Sequence, residues 1–487
     1  MIAHKSYWLW AAVVAAYTYL FYDQEIAGNT LVLAPLVLLL LGFQSPHLFK
    51  MRYFRWAALA YLTSAVAVAW HDYPWAVLSH FVAGLILMGC CYQPRSSIFI
   101  SFFNGLLSAL LVSFVQHFGH FVRILTQFFG RFFNFRLLTK AWLFVIPTLV
   151  TSFFYWLYHL ANPDFVINLT WFEFDFQVNY PLFFTILWGM IWLTPFFFPW
   201  GIASITKRDL AKPEDLIRQN TNPRKLKRSI TGFLNEYRQG VILFAMLNVL
   251  ISAFLVLGVW QIFHPTQKGY SEQVHEGFFT LIVSILMAVV LILYFFRGNQ
   301  NFYTRNHRLK QLAFVWILLN VLLAVFTLYK NSDYVAAYGL TFKRIGVYWG
   351  MLMTLIGLGF TFWKIKYLKT NWYLIHTNAW ILFGALVVNS LVDWNRVIVF
   401  YNLRYAQHID FAYLHGLDAT AVPPLVAYDA TLQKTPAHLR PQGYKPYPIS
   451  GIRYLFKSTD WRSQTFDQRR LRAFWEEKDK QRRVGLK

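Results

Sequence analysis

The chain has 487 residues, of which 57 % are hydrophobic, 20 % aromatic and only 14 % charged. Soluble domains carry nearer a quarter of charged residues, so this composition excludes an ordinary soluble globular protein. The formal charge of +23 comes without a nucleic-acid-binding motif. We therefore predict no nucleic-acid partner and assign the charge to basic loops that fix orientation and meet the lipid bilayer.

Apolar runs long enough for a bilayer core, which needs roughly 20 residues per helix, recur along most of the chain. They predict an all-α polytopic membrane protein with about 11–13 transmembrane helices and a mostly helical, hydrophilic C-terminal region. The runs centre on 6–22, 28–43, 53–70, 74–92, 98–116, 141–161, 181–200, 240–263, 277–296, 312–329, 345–363 and 374–392.

Lys and Arg fall mainly on alternate loops, which predicts the orientation. Loop 201–239 is strongly basic, whereas loop 162–180 has no Lys or Arg. By the positive-inside rule the first is cytoplasmic and the second is outside. Continued alternation places the region after Asn395 outside. Near the N-terminus, the acidic loop 23–30 and the basic loop 44–55 favour a cytoplasmic N-terminus.

Segment 119–140 disturbs this alternation and has two interpretations. Its polar residues share one face of a predicted helix. The segment is either an amphipathic helix at the cytoplasmic interface or a further crossing whose polar stripe lines a cavity, where an intramembrane Arg would mark a functional site. The stripe consists of His120, Arg123, Gln127, Arg131 and Asn134.

Three regions follow from these patterns: an N-terminal bundle over 1–140, a second bundle over 141–392 and a hydrophilic region over 393–487. Strict alternation of aromatic and polar residues over 172–180 predicts a strand within the outer loop 162–180. In the hydrophilic region we predict helices over 396–417, 422–433 and 463–481, and we interpret Asp393 and Arg396 as an interfacial pair.

The two cysteines, Cys90 and Cys91, are adjacent in an apolar run. Neighbouring cysteines rarely form a structural disulfide, and no metal-ligand spacing is present. The sequence also lacks a Walker loop, a His-Glu-x-x-His pair and a Gly-x-Ser-x-Gly elbow. We therefore predict no metal and no cofactor, and we leave enzyme activity undecided while favouring its absence.

Short motifs in the second half of the chain resemble, in their order and context, a widespread bacterial family of polytopic inner-membrane proteins known only as a domain of unknown function. The resemblance covers about 141–480. It is carried by Ala161-Asn162-Pro163-Asp164-Phe165, His275-Glu276-Gly277-Phe278, Tyr338-Gly339-Leu340-Thr341, Tyr401-Asn402-Leu403-Arg404, Asp410-x-x-Tyr413-Leu414-x-x-Leu417, Ala421-Val422-Pro423-Pro424-Leu425 and Asp460-Trp461-Arg462-Ser463.

The resemblance implies a bacterial cytoplasmic membrane and no assigned activity. One departure is Thr420, which stands where the family commonly has Asp before Ala-x-Pro. A catalytic carboxylate would not tolerate that change, so it favours a structural or binding role for this motif. We therefore interpret Glu276, Arg344, Asp410 and Tyr413 as candidate structural or binding residues of the outer surface, with Arg344 able to pair with Glu276.

Three functions remain open from the sequence. The first is a non-enzymatic sensor or envelope-assembly subunit that binds a ligand, or a second envelope or membrane protein, at its outer surface. The second is a transporter that uses the polar stripe of 119–140. The third is a membrane enzyme acting on lipid or lipid-linked sugar through outer carboxylates such as Asp72 and Glu276.

Overall fold

The computed structural model contains sixteen α-helices in the part of the chain that it describes, with one isolated β-bridge between Asp215 and Lys369. The described residues are 2–71, 73–113, 147–148, 151, 158, 179–218, 226–264, 270–297, 299–303, 305–436, 438, 440–441, 444, 446 and 460–484. The predicted all-α class is confirmed. The predicted stripe of 119–140 and the predicted strand, apart from its last two residues, lie outside the described residues.

The helices are α1 (Ile2–Phe21), α2 (Thr30–Gln44), α3 (Arg52–Trp70), α4 (Pro74–Tyr92), α5 (Ile98–Leu107), α6 (Tyr180–Phe197), α7 (Ala203–Leu210) and α8 (Leu226–Phe263). They continue with α9 (Tyr270–Phe295), α10 (His307–Tyr338), α11 (Phe342–Lys366), α12 (Asn371–Ser390), α13 (Trp394–Tyr405), α14 (Phe411–His415), α15 (Val422–Gln433) and α16 (Phe466–Val484).

Five of the described helices are long and apolar enough to cross a membrane: α4, α6, α10, α11 and the stretch Leu234–Gln261 of α8. A sixth span arises if α12 and α13, which meet at 67°, are taken as one. This number is below the 11–13 crossings expected from the apolar runs. Some runs form helices that are shorter than a full span, such as Thr30–Gln44, and the run at 141–161 falls almost entirely outside the described residues. The chain is a multi-pass membrane protein.

The apolar faces of the helices form two main cores. The first is built from α1–α5 and also takes in Leu193 and Phe196 of α6 and Phe383 and Val387 of α12. The second joins α8, α9, α10 and α11 around side chains such as Phe244, whose ring is fully buried. Helix α12 therefore links the two cores along its length. The three-region division remains a prediction.

One end of the bundle, here called the basic end, gathers the turns that follow α2, α4, α6, α9 and α11. Gln44 donates to the Phe197 carbonyl at 2.7 Å, and the Thr370 N–H donates to the Glu214 carbonyl at 2.9 Å. Lys364 reaches the Phe296 carbonyl at 2.9 Å. Four of these five turns carry Lys or Arg in the sequence, and the turn after α6 leads directly into α7, which carries Lys207 and Arg208.

The opposite end, here called the tail end, gathers the turns that follow α1, α3, α10 and α12, and it carries helices α13–α16. These four turns contain no Lys or Arg in the sequence. A small core beneath α13–α15 includes Val335, Ile398 and Leu414, all of them buried. The loops that the charge pattern separates into two sets thus lie at opposite ends of the helices.

The region after Asn395 differs from its prediction at one point. The single helix expected over 396–417 is two helices, because α13 ends at Tyr405 and α14 begins at Phe411. Between them the backbone crosses the end of α10, where the His408 N–H donates to the Ala337 carbonyl at 3.1 Å. Helix α15 has the predicted bounds.

Candidate functional site

At the tail end, polar side chains of the C-terminal region converge on turns of the bundle that are distant in sequence. Its first element is the turn between α10 and α11, where Gly339 has a φ of +79°, a conformation that glycine adopts without strain. Asn402 of α13 is buried against this turn. Its amide nitrogen donates to the Leu340 carbonyl at 2.9 Å, and its amide oxygen accepts from the Leu340 N–H. Two of the family-like motifs therefore bind each other.

Arg344 and Tyr413 hold the same turn from its two sides. The Arg344 guanidinium donates to the carbonyls of Tyr338, at 2.9 Å, and Gly339, and it lies 4.0 Å from the centre of the Tyr334 ring. The Tyr413 hydroxyl accepts from the Phe342 N–H at 3.1 Å. Arg344 is thus engaged with backbone carbonyls.

Asp410 begins helix α14. Its carboxylate accepts from the Tyr413 N–H at 3.0 Å, which is the hydrogen bond of a helix N-cap. The Tyr413 hydroxyl in turn reaches α11, so the capped helix positions the side chain that contacts the α10–α11 turn. Glu276 lies on α9, and its side chain is outside the described part of the structure.

The Asp460-Trp461-Arg462-Ser463 segment docks on the turn between α1 and α2. The Arg462 carbonyl accepts from the Asn29 N–H at 3.1 Å, and its guanidinium donates to the Tyr19 carbonyl at 2.5 Å and to Asp460. The Ser463 hydroxyl accepts from the Glu25 N–H at 2.9 Å. A Cβ on Gly28 would lie 2.8 Å from the Trp461 carbonyl oxygen, so only glycine permits this approach.

His71, directly after α3, joins two more parts of the tail end. Its Nδ1 lies 2.6 Å from an Asp467 carboxylate oxygen of α16, and its Nε2 lies 3.1 Å from the Leu391 carbonyl oxygen after α12. Both partners are acceptors, so the ring donates from both nitrogens, and a ring that does so is the charged imidazolium. His71 and Asp467 are both buried.

The pKa of His71 agrees with that geometry. Burial alone would lower the pKa, but the hydrogen bonds to Asp467 and the Leu391 carbonyl, with the charges of Asp467 and Asp393, raise it above its ordinary value of 6.5. The side chain therefore holds its proton more tightly while α16 is docked than a free histidine does.

Asp393 completes this cluster. Its Oδ1 accepts from the Arg396 N–H at 3.1 Å and from the Thr420 hydroxyl at 3.2 Å. The predicted pairing with Arg396 is thus made through that residue's backbone. Thr420 stands where the family commonly has Asp, and its hydroxyl gives Asp393 a hydrogen-bond donor. An ionised Asp at this position would instead place a second negative charge against Asp393.

His71, Asp393 and Asp467 are of residue types that ligate metals, and their nearest ligand atoms lie within 4.8 Å of one another. A metal requires an imidazole lone pair, and both ring nitrogens of His71 face acceptors instead. The arrangement is therefore that of a hydrogen-bonded clamp, which ties α3, α12 and α16 together through one proton-carrying ring.

Sequence analysis singled out Arg344, Asp410 and Tyr413, which the fold brings together around one turn. It did not assign roles to Asn402, Arg462 and Ser463, although their motifs were noted, and it gave His71 no partner. The missing partner, Asp467, lies 396 residues away in sequence, so no local spacing indicates the contact.

Comparison with known families identifies the chain. A family model described as Domain of unknown function (DUF4153) matches residues 9–428, and the chain belongs to this family. The match extends to the N-terminal helices, which the motif resemblance did not cover, and it ends before Asp460. No curated protein and no solved structure matches the chain.

Proposed function

We propose that this member of the family is a non-enzymatic sensor or envelope-assembly subunit of the bacterial cytoplasmic membrane. Its tail end faces outward and binds a ligand or a second envelope protein. The observation that carries the proposal is the use of the polar side chains at this end. They fasten a C-terminal region of helices onto the turns of the membrane bundle.

Four carboxylates of the described tail end support a docking role. Asp393 and Asp410 cap helices, Asp460 holds Arg462, and Asp467 holds His71. A general acid or base needs its carboxyl group free to reach a substrate. Each of these four groups instead serves an internal contact, which is what a rigid recognition surface requires.

The charge distribution supports the outward orientation. At the basic end, four of the five turns and helix α7 carry Lys or Arg, whereas the turns following α1, α3, α10 and α12 carry none. Positive loops remain on the cytoplasmic side during membrane insertion. The tail end is accordingly the side that we place outside the cytoplasm.

Paired cysteine reporters test the orientation. With Cys90 and Cys91 replaced by serine, one cysteine is placed at Glu477, exposed on α16, and another, in a separate variant, at Ile217, which is 73 % exposed at the basic end. A membrane-impermeant maleimide should label position 477 in spheroplasts and position 217 only after lysis. The reverse pattern would overturn the proposal.

Site-specific photocrosslinking tests partner binding. A crosslinking residue at 477 should give a discrete adduct in cells, and the same residue at 217 serves as the matched control. The adduct should disappear when Gly28→Leu displaces the Trp461 segment from the α1–α2 turn. An adduct pattern at 477 that is unaffected by docking would argue against recognition by this surface.

A further inference from the structure

A crevice of about 710 Å³ runs between α3 and α12, on the side of α12 that faces the N-terminal bundle. Its α3 wall is a single helical stripe that includes Trp56, Leu59 and Thr63. Its α12 wall includes Ile381, Gly384, Val387 and Val388. Trp56 and Leu59 are about half exposed, at 52 % and 53 %, so the crevice opens sideways to the surroundings of the helices.

The floor of the crevice near the basic end is aromatic and rigid. The rings of Tyr53 and Trp380 stack with their centres 5.4 Å apart, and His376 meets the Tyr53 ring edge-on at 5.7 Å. The Trp380 indole donates to Nε2 of His376 at 3.1 Å. These contacts tie α3 to α12 and leave the space above them open.

Among the residues that the structure describes, the charged groups that line the crevice lie at the basic end. Arg52, at the start of α3, and Glu214, after α7, both lie there and are exposed. Neither side chain forms an ion pair with any residue that the structure describes. A cation and an anion are thus presented at one mouth without neutralising each other.

The crevice has the length of a lipid chain. From Arg52 to Thr63 the α3 wall rises roughly 17 Å, at 1.5 Å per residue. One leaflet of a bilayer is about 15 Å deep, half of a core of about 30 Å. An occupant with a polar head at Arg52 and an acyl chain along Trp56, Leu59 and Gly384 would match both the depth and the polarity of the crevice.

We propose that this crevice binds a phospholipid whose headgroup carries a primary amine. The Arg52 guanidinium would hold the phosphate through charge-assisted hydrogen bonds, and the Glu214 carboxylate would accept from the ammonium group. Basic pockets between transmembrane helices on the cytoplasmic side are known headgroup sites. The additional carboxylate at the same mouth distinguishes an aminophospholipid from an anionic lipid such as phosphatidylglycerol.

A second crevice of about 510 Å³ lies on the tail-end side of α12, and it differs from the first one in its charged lining residues. It is lined by residues such as Trp75, Ile345, Trp349 and Leu386, and none of the described residues that line it is charged. The described lining therefore offers no group that would fix a charged headgroup. Both crevices therefore have apolar walls, but the charged residues Arg52 and Glu214 line the larger one.

Gly384→Leu tests occupancy directly. A Cβ at Gly384 meets no atom within 4 Å, and Gly384 lines the crevice, so a leucine there would occupy space inside it. Gly359 on α11 also has open space and lines neither crevice, which makes Gly359→Leu the matched control. Native mass spectrometry of detergent-purified protein should show bound phosphatidylethanolamine in wild type and in Gly359→Leu, and at least a tenfold loss in Gly384→Leu.

A second experiment tests whether the crevice selects the lipid by its headgroup. In titrations with phosphatidylethanolamine and phosphatidylglycerol, Arg52→Gln should weaken binding of both lipids. Glu214→Gln should abolish the preference for phosphatidylethanolamine and leave phosphatidylglycerol binding intact. Equal retention of lipid in Gly384→Leu and wild type, or a wild-type protein without preference between the two lipids, would overturn the proposal.

Discussion

The contacts at the two ends of the molecule join different parts of the chain. At the tail end, side chains of the C-terminal region bond to backbone groups of the membrane bundle, as the buried Asn402 does to Leu340. At the basic end, segments of the bundle bond to one another, through the buried Lys364 and the Phe296 carbonyl and through the Lys369–Asp215 ion pair at 2.5 Å, in which Asp215 is exposed. Buried partners cannot be replaced by water, whereas exposed ones can. Geometry therefore specifies buried contacts at both ends, and the exposed ion pair contributes less than they do.

This difference bears on the signalling or assembly role that we propose for the tail end. Its contacts are made by the C-terminal region, which follows the last apolar helix of the bundle. A ligand or partner that competes for any one of them would shift the docking equilibrium by its differential affinity for the two states. At the basic end, the comparable buried contact joins α7 to the α4–α5 turn, where Asp209 accepts from the Ser97 N–H and hydroxyl at 2.7 and 3.0 Å, so it holds parts of the bundle to each other.

The largest effect is expected from His71→Ala. Removing one partner of a buried ion pair leaves Asp467 buried and uncompensated, at a cost of about 3–5 kcal/mol. Hydrogen exchange at the amides of Glu25 and Asn29, which donate to Ser463 and Arg462, reports whether the tail is docked. Their exchange should become roughly a hundredfold faster or more, because each 1.4 kcal/mol is a factor of ten.

The control for that variant is His80→Gln. His80 is also buried, but it contacts Ser64 and the Tyr61 ring within the N-terminal bundle. Exchange at Glu25 and Asn29 should then stay near wild type. Equal acceleration in both variants would show that general loosening of the bundle, and not the clamp, controls docking.

Gly28→Leu should have the next largest effect. The new Cβ would lie 2.8 Å from the backbone oxygen of Trp461, which cannot rotate away as a side chain does. Overpacking of this kind costs about 1–3 kcal/mol. Exchange at Glu25 and Asn29 should rise by roughly tenfold or more. Gly359→Leu, which introduces leucine into open space, should leave it unchanged.

Part of this architecture could be predicted from the sequence because its signals are local. Apolar runs and basic loops predict the helical class and the two sets of turns, and the pattern over 422–433 predicts α15 in full. The Arg462–Tyr19 contact joins residues 443 positions apart, so no local pattern in the sequence indicates it. The Asp410 cap does have a local signal, an Asp three residues before Tyr413, which we interpreted as part of a helical face.

Docking of the tail is expected to depend on pH through the protonation of His71. The pKa of His71 is raised when the tail is docked, so the proton stabilises docking. This contribution is complete below about pH 6.5, the ordinary pKa of histidine. It is lost as pH rises through the higher docked pKa. The groups that face the ring are Asp467 on α16, Asp393 after α12 and the Leu391 carbonyl.

The measurement is the ratio of exchange rates at Glu25 and Asn29 between His71→Gln and wild type, taken at each pH so that the intrinsic pH dependence of exchange cancels. The ratio should be largest near pH 6 and should fall as pH rises. A ratio independent of pH between 5 and 9 would mean that the ring does not change its protonation in this range, and the clamp would then be an ordinary structural contact.

The smallest effect is expected at the basic end, from Lys369→Gln. The pKa of Lys369 is raised by its hydrogen bond to Asp215, but the pair is exposed, so solvent screens most of the interaction. Such pairs contribute about 0.2–1 kcal/mol. Exchange at Glu25 and Asn29 should not change, and the thermal midpoint of the purified protein should shift by a few degrees at most. A larger shift, or one that persists at 1 M salt, would show that the Lys369–Asp215 pair also acts through specific geometry.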